Sequence, residues 1–542
     1  MARRDLDNAA IANRLARFAA VLDLAGASTY STRAYRRAAD LIRATPLNVA
    51  ELVRARRARE LRGIGASIEA KLIELVETGE IAELVELERS TDPELVGIGR
   101  YLGLSPKRAV EIGRTLGVRT VDELRAAAAE GRLREVPGIG AMTERRLQER
   151  LAREPAQGRP RLLLNRARVL VAAVAEAVGG VAAGDVRRWV DSPQRLAVVC
   201  ASDQPAPLLD AFAALPEVVA VVEREERRAV GVTVDGIPIE LVTVSPSSFG
   251  TALFRATGST AYVASLEPLP EAALEDDVYK ALEIPFCPPE LREAPFRGDP
   301  PRLLELGDIR GDLHCHTTRS DGRASAYEMG VAARERGYEY LAICDHTKNV
   351  RVVPGLDADD VRAQAEEIAE ANERLAPFRI LRGIECDILP DGSLDLPDDV
   401  LADLEWVQAS LHAGQRRPRN ELTKQVVEAM RNPHVRALSH PTGRLIDRRP
   451  ENALDLEQAI EVAIETGTAL EVNGLPDRLD LRDRHVRLAV EAGAPIVVST
   501  DAHSIVGLAN MELAVRTGRR GWATAANVVN TQPLDQLLAE AP

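Results

Sequence analysis

Between residues 308 and 504, seven apolar runs each end in polar residues, most of them able to bind a metal ion: DIRGDLHCHTTRSDG, YLAICDHT, FRILRGIECD, WVQASLHAG, VRALSHPTG, ALEVNG and APIVVSTDAHS. Most are separated by stretches whose apolar residues recur every three or four positions, so strand, ligand-type residue and helix repeat in that order. Such a pattern leaves few folds open, because strands joined through helices run parallel and a (β/α) barrel gathers their C-terminal ends into one mouth. Those ends carry His314, His316, Asp321, His346, Glu385, His412, His440, Asp501 and His503. All eight histidines of the chain lie at or after His314, and only His434 and His485 fall away from the strand ends.

Residues two apart on a strand share a face, so His314 and His316 can aim at one ion, as can Asp501 and His503. The intervening Cys315 and Ala502 are expected to point into packing. Nine ligands exceed the three or four of one tetrahedral ion, which implies two or three divalent ions. Mixed imidazole and carboxylate donors suit Mn²⁺, Zn²⁺ or Fe²⁺ better than Mg²⁺ alone. Clustered ions of this kind generate hydroxide near neutral pH and clamp phosphoryl oxygens, so phosphoester hydrolysis is the chemistry to expect.

The chain has 542 residues, too many for one core and enough for two to four domains. No apolar run approaches the ~20 residues of a membrane span. The stretch MARRDLDNAAIANRLARF lacks the apolar segment of a secretory signal, which predicts a cytoplasmic, nucleoid-associated protein. Five cysteines without a CxxC pair argue against disulfides and a thiolate zinc site. A net charge of −14 argues against indiscriminate polyanion binding, but residues 1–60 carry twelve arginines against six acidic residues and form a locally basic segment.

From about residue 8 to 155 the periodicity is helical, and a small unit recurs: LRGIGASIEAKLIEL, LVGIGRYLGLSPKRAVEI and VPGIGAMTERRLQERL. Each sets a Gly-Ile-Gly turn before a helix, where glycine frees backbone N–H groups to hold a phosphate without side-chain charge. Gly63, Gly65, Gly97, Gly99, Gly138 and Gly140 are therefore candidate DNA-backbone contacts. EPAQGRPR reads as a linker, and RLAVVCAS, VVAVVE, AVGVTV and IPIELVTV read as strands of a mixed region that follows it.

DLHCHTTRSDG, CDHT, GIECDI, SLHAG, SHPTG and STDAHS resemble the successive motifs of the PHP (polymerase and histidinol phosphatase) family over residues 308–542. The resemblance implies a distorted (β/α)7 barrel with a trinuclear centre. His314, His316, Glu385 and Asp501 would hold one ion, Glu385, His412 and His440 a second, and Asp321, His346 and His503 a third. Asp345 would orient a neighbouring ligand.

Over nearly the whole chain the order of segments resembles the bacterial family X DNA polymerases, with YSTRAYRRAADLI, SFGTALFRATGS and DVYKALEIPFCPPELRE in support. The implied organisation is multidomain: an all-α helix-hairpin-helix part, comprising a lyase-like unit at 1–86 and a fingers-like unit at 87–155, then an α+β nucleotidyltransferase-like palm with a shortened thumb at 160–300, then the α/β PHP barrel at 308–542. Family members carry Gly-Ser-x-Arg-Arg followed by Gly-Asp-x-Asp, whose aspartates bind catalytic magnesium. In GDVRRWVDSPQRLAVV the first part falls on Gly184, Arg187 and Arg188, and the two aspartate positions fall on Arg195 and Ala197. The third family carboxylate falls on Glu240. An arginine repels the ions and an alanine offers no oxygen, so polymerase activity is expected to be lost. Lys71 matches the lysine that family members use for Schiff-base attack at abasic sites.

The function expected is that of a metal-dependent phosphodiesterase acting on DNA, a 3′–5′ exonuclease with abasic-site endonuclease as a second activity, and DNA as a partner bound without regard to sequence. A small-molecule phosphatase of the histidinol-phosphate type, a residual polymerase and a noncatalytic DNA-binding protein stay open as alternatives.

Overall fold

A computed structural model describes residues 6–539 except 7, 25–28, 46, 62, 91–96, 100, 105, 153–161, 234–235 and 351–352. The expected linker at 154–161 lies outside the described residues. The N-terminal segment folds into helices, among them Asn8–Leu24, Thr29–Ala44 and Ala66–Thr78. They close over a core of Ile11, Leu15, Phe18, Tyr35, Ile42, Leu72 and Leu75. A second helical group includes Pro106–Leu116, Val121–Ala129 and Ala141–Ala152.

The mixed region is a five-stranded sheet, β1 (Val181–Gly184), β2 (Leu196–Ala201), β3 (Ala220–Arg224), β4 (Arg228–Val232) and β5 (Pro238–Val244), in the order β1-β2-β5-β4-β3. Only β2 and β5 are parallel. All four strands read from the sequence form. β1 was not expected: its four residues, VAAG, are too short and too small to alternate visibly. The second helical group does not have a core of its own, since Ile98, Ile112, Leu124 and Leu147 pack together with Ala220, Val222, Val230 and Val232 of β3 and β4.

The C-terminal part is a seven-stranded parallel barrel of β6 (Gly311–Cys315), β7 (Tyr340–Ile343), β8 (Arg379–Asp387), β9 (Trp406–Ser410), β10 (Val435–Leu438), β11 (Ala469–Asn473) and β12 (Ile496–Ser499), paired in sequence order. A bridge between Cys315 and Ala502 links the ends of the first and last strands. Nearly every barrel-strand residue is buried, as a parallel sheet covered on both faces requires. Leu341, Ile343, Ile384, Val407, Leu438, Val472 and Val498 pack against the surrounding helices. Tyr340, Leu381, Trp406, Ala437, Ala469 and Val497 fill the inside at the base with Leu537 of the last helix. Two residues further along, the inner face turns polar: Ala469 is followed by Glu471 and Asn473, and Val497 by Ser499 and Asp501. That change from apolar floor to polar mouth is what builds the site.

The palm and barrel meet through the segment Asp185–Arg195. Trp189 is buried with Leu164, Leu479 and Leu513 and stacks on Arg168, whose guanidinium carbon lies 3.4 Å from the ring centroid. Arg444 pairs with Asp191 at 2.6 Å, and Arg520 bonds to the Arg188 carbonyl and to the Glu293 and Asp483 carboxylates.

Candidate metal centre

All nine strand-end residues converge. His314 and His316 bring their Nε2 atoms to 3.1 Å, and the His316 atom is also 3.1 Å from Asp501 Oδ1. Glu385 sits at the middle. Its Oε1 lies 2.9 Å from His440 Nε2 and 3.5 Å from His412 Nε2, and its Oε2 lies 2.8 Å from His346 Nδ1, 3.5 Å from His314 Nε2 and 3.7 Å from His316 Nε2. On the open side Asp321 Oδ1 is 3.3 Å from His503 Nε2 and 3.6 Å from His346 Nε2. Three overlapping groups could each hold an ion: His314, His316 and Asp501; His346, Glu385 and His412; and His316, Asp321, His346 and His503. Cys315 and Ala502 point into the core, as expected.

The donor chemistry fits divalent cations. Glu385 Oε1, His316 Nδ1 and His346 Nδ1 are buried without a hydrogen bond. Buried polar atoms left in that state cost free energy, and a cation shared among them removes the cost. Burial and the neighbouring His503 and His346 push His316 down to about 4, which keeps its lone pairs available. Burial alone would raise the Glu385 carboxyl, but His412, His314 and His346 hold it well below its ordinary value.

A surrounding layer fixes the tautomers. His314 Nδ1 lies 2.6 Å from Glu471 Oε1 and His412 Nδ1 lies 3.1 Å from Asp387 Oδ1, so each imidazole carries its proton there and turns Nε2 toward the centre. His503 Nδ1 does the same against the Asp501 carbonyl at 2.8 Å. Glu471 also accepts from the His440 amide at 2.6 Å and from the Ser499 hydroxyl at 2.5 Å. Asp345 accepts from the Thr317 amide and hydroxyl, from Gln364 and from Ser320, and so holds the loop between His316 and Asp321. The backbones of His440 and Asp501 have φ of 25° and 52°, a left-handed strain that the surroundings must impose.

Sequence reasoning missed three residues here. Glu471 and Asp387 orient ligands, and Arg478 places its Nε 3.9 Å from Asp501 with a buried Nη1 that has no hydrogen bond. Glu471 and Asn473 in ALEVNG have the same two-residue spacing as His314 and His316, which was the available signal. Arg478 lies in an irregular loop, where spacing predicts nothing.

In the palm, Ala197 is fully buried beside Val199 and Leu253. Arg195 donates to the Arg255 and Ala256 carbonyls at the end of the helix Phe249–Thr257. Glu240 is in register with Ala197 on the neighbouring strand, and Arg228 hydrogen-bonds to its carboxylate. Arg187 makes two 2.8 Å bonds to Glu275, and Arg188 binds Asp185 and Glu293. Lys71 Nζ is 2.9 Å from Glu83 and 3.4 Å from Glu74; burial lowers its pKa, but these partners hold it above the ordinary value.

Two hairpins have the expected geometry. Gly63 (φ 112°) and Gly65 precede the helix Ala66–Thr78, and Gly138 (φ 76°) and Gly140 precede Ala141–Ala152. The second Gly-Ile-Gly is different: residues 97–99 are helical. A Cβ on Gly97 would come within 2.6 Å of Val219, and one on Gly99 within 2.4 Å of Ala109. These glycines serve close packing, and the left-handed turn before the next helix is at Gly103 (φ 74°).

Comparison with known proteins agrees with this division. Residues 6–81 match the helix-hairpin-helix domain model and residues 102–153 the SAM-like helix-hairpin-helix tandem. The second match begins past Gly97 and Gly99. The chain is 32% identical to the DNA polymerase/3′-5′ exonuclease PolX of Bacillus subtilis, covering 96% of this chain and 97% of that protein. Probable phosphatases of Acetivibrio thermocellus (32% identity, 30% of this chain and 64% of the relative) and Syntrophotalea carbinolica (28%, 40% and 90%) are also similar.

Proposed function

The chain belongs to the bacterial family X DNA polymerases with a C-terminal PHP domain, and on that premise we propose that it is a metal-dependent phosphodiesterase that shortens DNA from the 3′ end. The observation that carries the reading is the Glu385 carboxylate, with five imidazoles within 3.7 Å of its two oxygens. His314, His316, Glu385 and Asp501 would hold one ion, Glu385, His412 and His440 a second, and Asp321, His346 and His503 a third. Divalent ions such as Mn²⁺ or Zn²⁺ bound there supply a hydroxide near neutral pH and neutralise phosphoryl charge. Glu471, Asp387 and the Asp501 carbonyl keep the imidazoles aimed, and Arg478 offers the Nη1 that a phosphoryl oxygen needs as charge builds.

The palm transfers no nucleotide in this reading. Ala197 has no ligand oxygen, Arg195 brings a positive charge, and Arg228 already neutralises Glu240. Arg187 and Arg188, at the family's Arg-Arg positions, are bound to acidic side chains. Lys71 is ion-paired with Glu83 and Glu74, so Schiff-base chemistry at an abasic site would require it to leave those partners. The hairpins at Gly63–Gly65 and Gly138–Gly140 hold the DNA backbone without reading bases. Among the described residues no helix is long and apolar enough to cross a membrane, and DNA as substrate sets the place of action at the nucleoid in the cytoplasm.

The test is a labelled primer on a gapped template with Mn²⁺ and all four nucleotides, beside a His314→Ala, His316→Ala control. Shortening that vanishes in the control is expected, and lengthening overturns the assignment of the palm. The similarity to probable phosphatases favours a second reading, a phosphomonoesterase. That reading requires turnover of phosphomonoesters with the primer untouched.

A further inference from the structure

A cleft of about 820 Å³ opens between the first hairpin and the barrel mouth. Its walls are Tyr35, Arg37 and the turn Gly63–Ser67 of the helical part, and the barrel contributes Arg323. Among the described residues no carboxylate lines it, although the chain carries a net charge of −14. Arg37 and Arg323 are both exposed, and among the described residues neither guanidinium has a hydrogen bond or an ion pair.

Arg323 is tied to the metal centre through its backbone. Its N–H donates to the His503 carbonyl at 2.9 Å, and it stands two residues after Asp321. The preceding Gly322 packs so closely that a Cβ would lie 2.6 Å from the His316 carbonyl oxygen, which fixes where the loop presents the guanidinium. Opposite it, the helix Ala66–Thr78 begins at Gly65 with no side-chain cap, leaving its first N–H groups for an outside acceptor. Two arginines that are unpaired among the described residues, uncapped amides and a described lining without acid make a site suited to phosphates in series. The volume is of the size that encloses a small ligand, enough for the backbone of a short stretch of one strand.

Resting on the phosphodiesterase reading above, we infer that the strand being hydrolysed runs through this cleft, its phosphates gripped by Arg323 and Arg37 on the way to the metal centre. The first helix-hairpin-helix is then part of the exonuclease substrate path, and it sets a preference for a single-stranded run behind the scissile bond.

Two variants test this. Arg323→Ala removes one guanidinium. Gly65→Ala adds a methyl group to the cleft wall at φ −85°, where it meets no protein atom within 4 Å, so the fold is kept. Mn²⁺-dependent shortening is measured on thymidylate strands of about two to ten nucleotides, and binding of the longest strand is followed by fluorescence anisotropy in Ca²⁺ over a range of salt. For the unaltered protein kcat/KM is expected to rise with strand length. Each variant should flatten that rise, weaken binding of the longest strand about tenfold, and, for Arg323→Ala, reduce the salt slope by about one. Length dependence and binding that stay unchanged in both variants overturn the inference. If the unaltered protein shortens no strand, the phosphodiesterase reading fails, and the anisotropy arm still decides whether the cleft holds a strand.

Discussion

Glu240 on β5 and Glu385 on β8 are both sheet carboxylates, yet their surroundings differ in kind. Glu240 meets a cation that the chain supplies itself, Arg228, whose pKa two glutamates outweigh burial to raise. Glu385 is ringed by His314, His316, His346, His412 and His440. A carboxylate neutralised by a fixed guanidinium has little affinity left for a diffusible ion, whereas one among imidazoles keeps its charge and gains co-ligands. In the palm, carboxylates and arginines are paired with one another. The barrel has kept its carboxylate free of guanidinium partners.

The largest expected effect tests the barrel side: His314→Ala with His316→Ala should reduce primer shortening to background while circular dichroism stays unchanged. Arg478→Ala comes next, with a fall of roughly 100-fold in kcat on DNA at saturating Mn²⁺, the scale of losing one aimed donor at a phosphoryl centre. An unchanged kcat would leave Arg478 with no role beyond pairing with Asp501. Glu471→Gln should weaken metal affinity by ~10–100-fold, readable as a shift in the Mn²⁺ titration midpoint, because the His314 tautomer is no longer enforced.

On the palm side the effects concern stability. Trp189→Ala should cost about 3 kcal/mol in denaturant unfolding and leave the barrel's chemistry in place, because the ring fills the palm–barrel contact. Glu293 and Asp483, both paired with Arg520, have carboxyls held below their ordinary values, against burial that would raise them. Folding therefore gains their contribution fully above the unfolded value of ~4 and loses it as pH falls below that through the depressed folded values, so the contact loosens in acid. The smallest change breaks the comparison most directly if it fails: Arg195→Asp with Ala197→Asp should yield no nucleotide incorporation, since Arg187 and Arg188 stay committed to Glu275, Asp185 and Glu293.

The barrel was legible because its signal is periodic. Strand ends recur with a fixed chemistry, and the two-residue spacing of His314 and His316 carries directly into three dimensions. The palm was legible where strands are runs of apolar residues, continuous in β2 and alternating in β5, and β1, four small residues long, was not. Gly97 and Gly99 misled because glycine answers two needs: a left-handed turn, met at Gly63, Gly103 and Gly138, and close approach, met against Val219 and Ala109. Sequence spacing cannot separate the two. Arg478 was invisible for another reason, since a loop places a side chain through contacts far along the chain, here beside Asp501.

Glu385 reaches two groups of ligands with one carboxylate, one oxygen toward His412 and His440 and the other toward His314, His316 and His346. Ions bound on either side would share that carboxylate, and by linkage the occupancy of one side would change the affinity of the other by the same factor in both directions. Metal loading would then be collective: activity should follow Mn²⁺ concentration along a curve that departs from a simple hyperbola, and Mn²⁺ binding to Glu385→Gln, followed by isothermal titration calorimetry, should lose that departure.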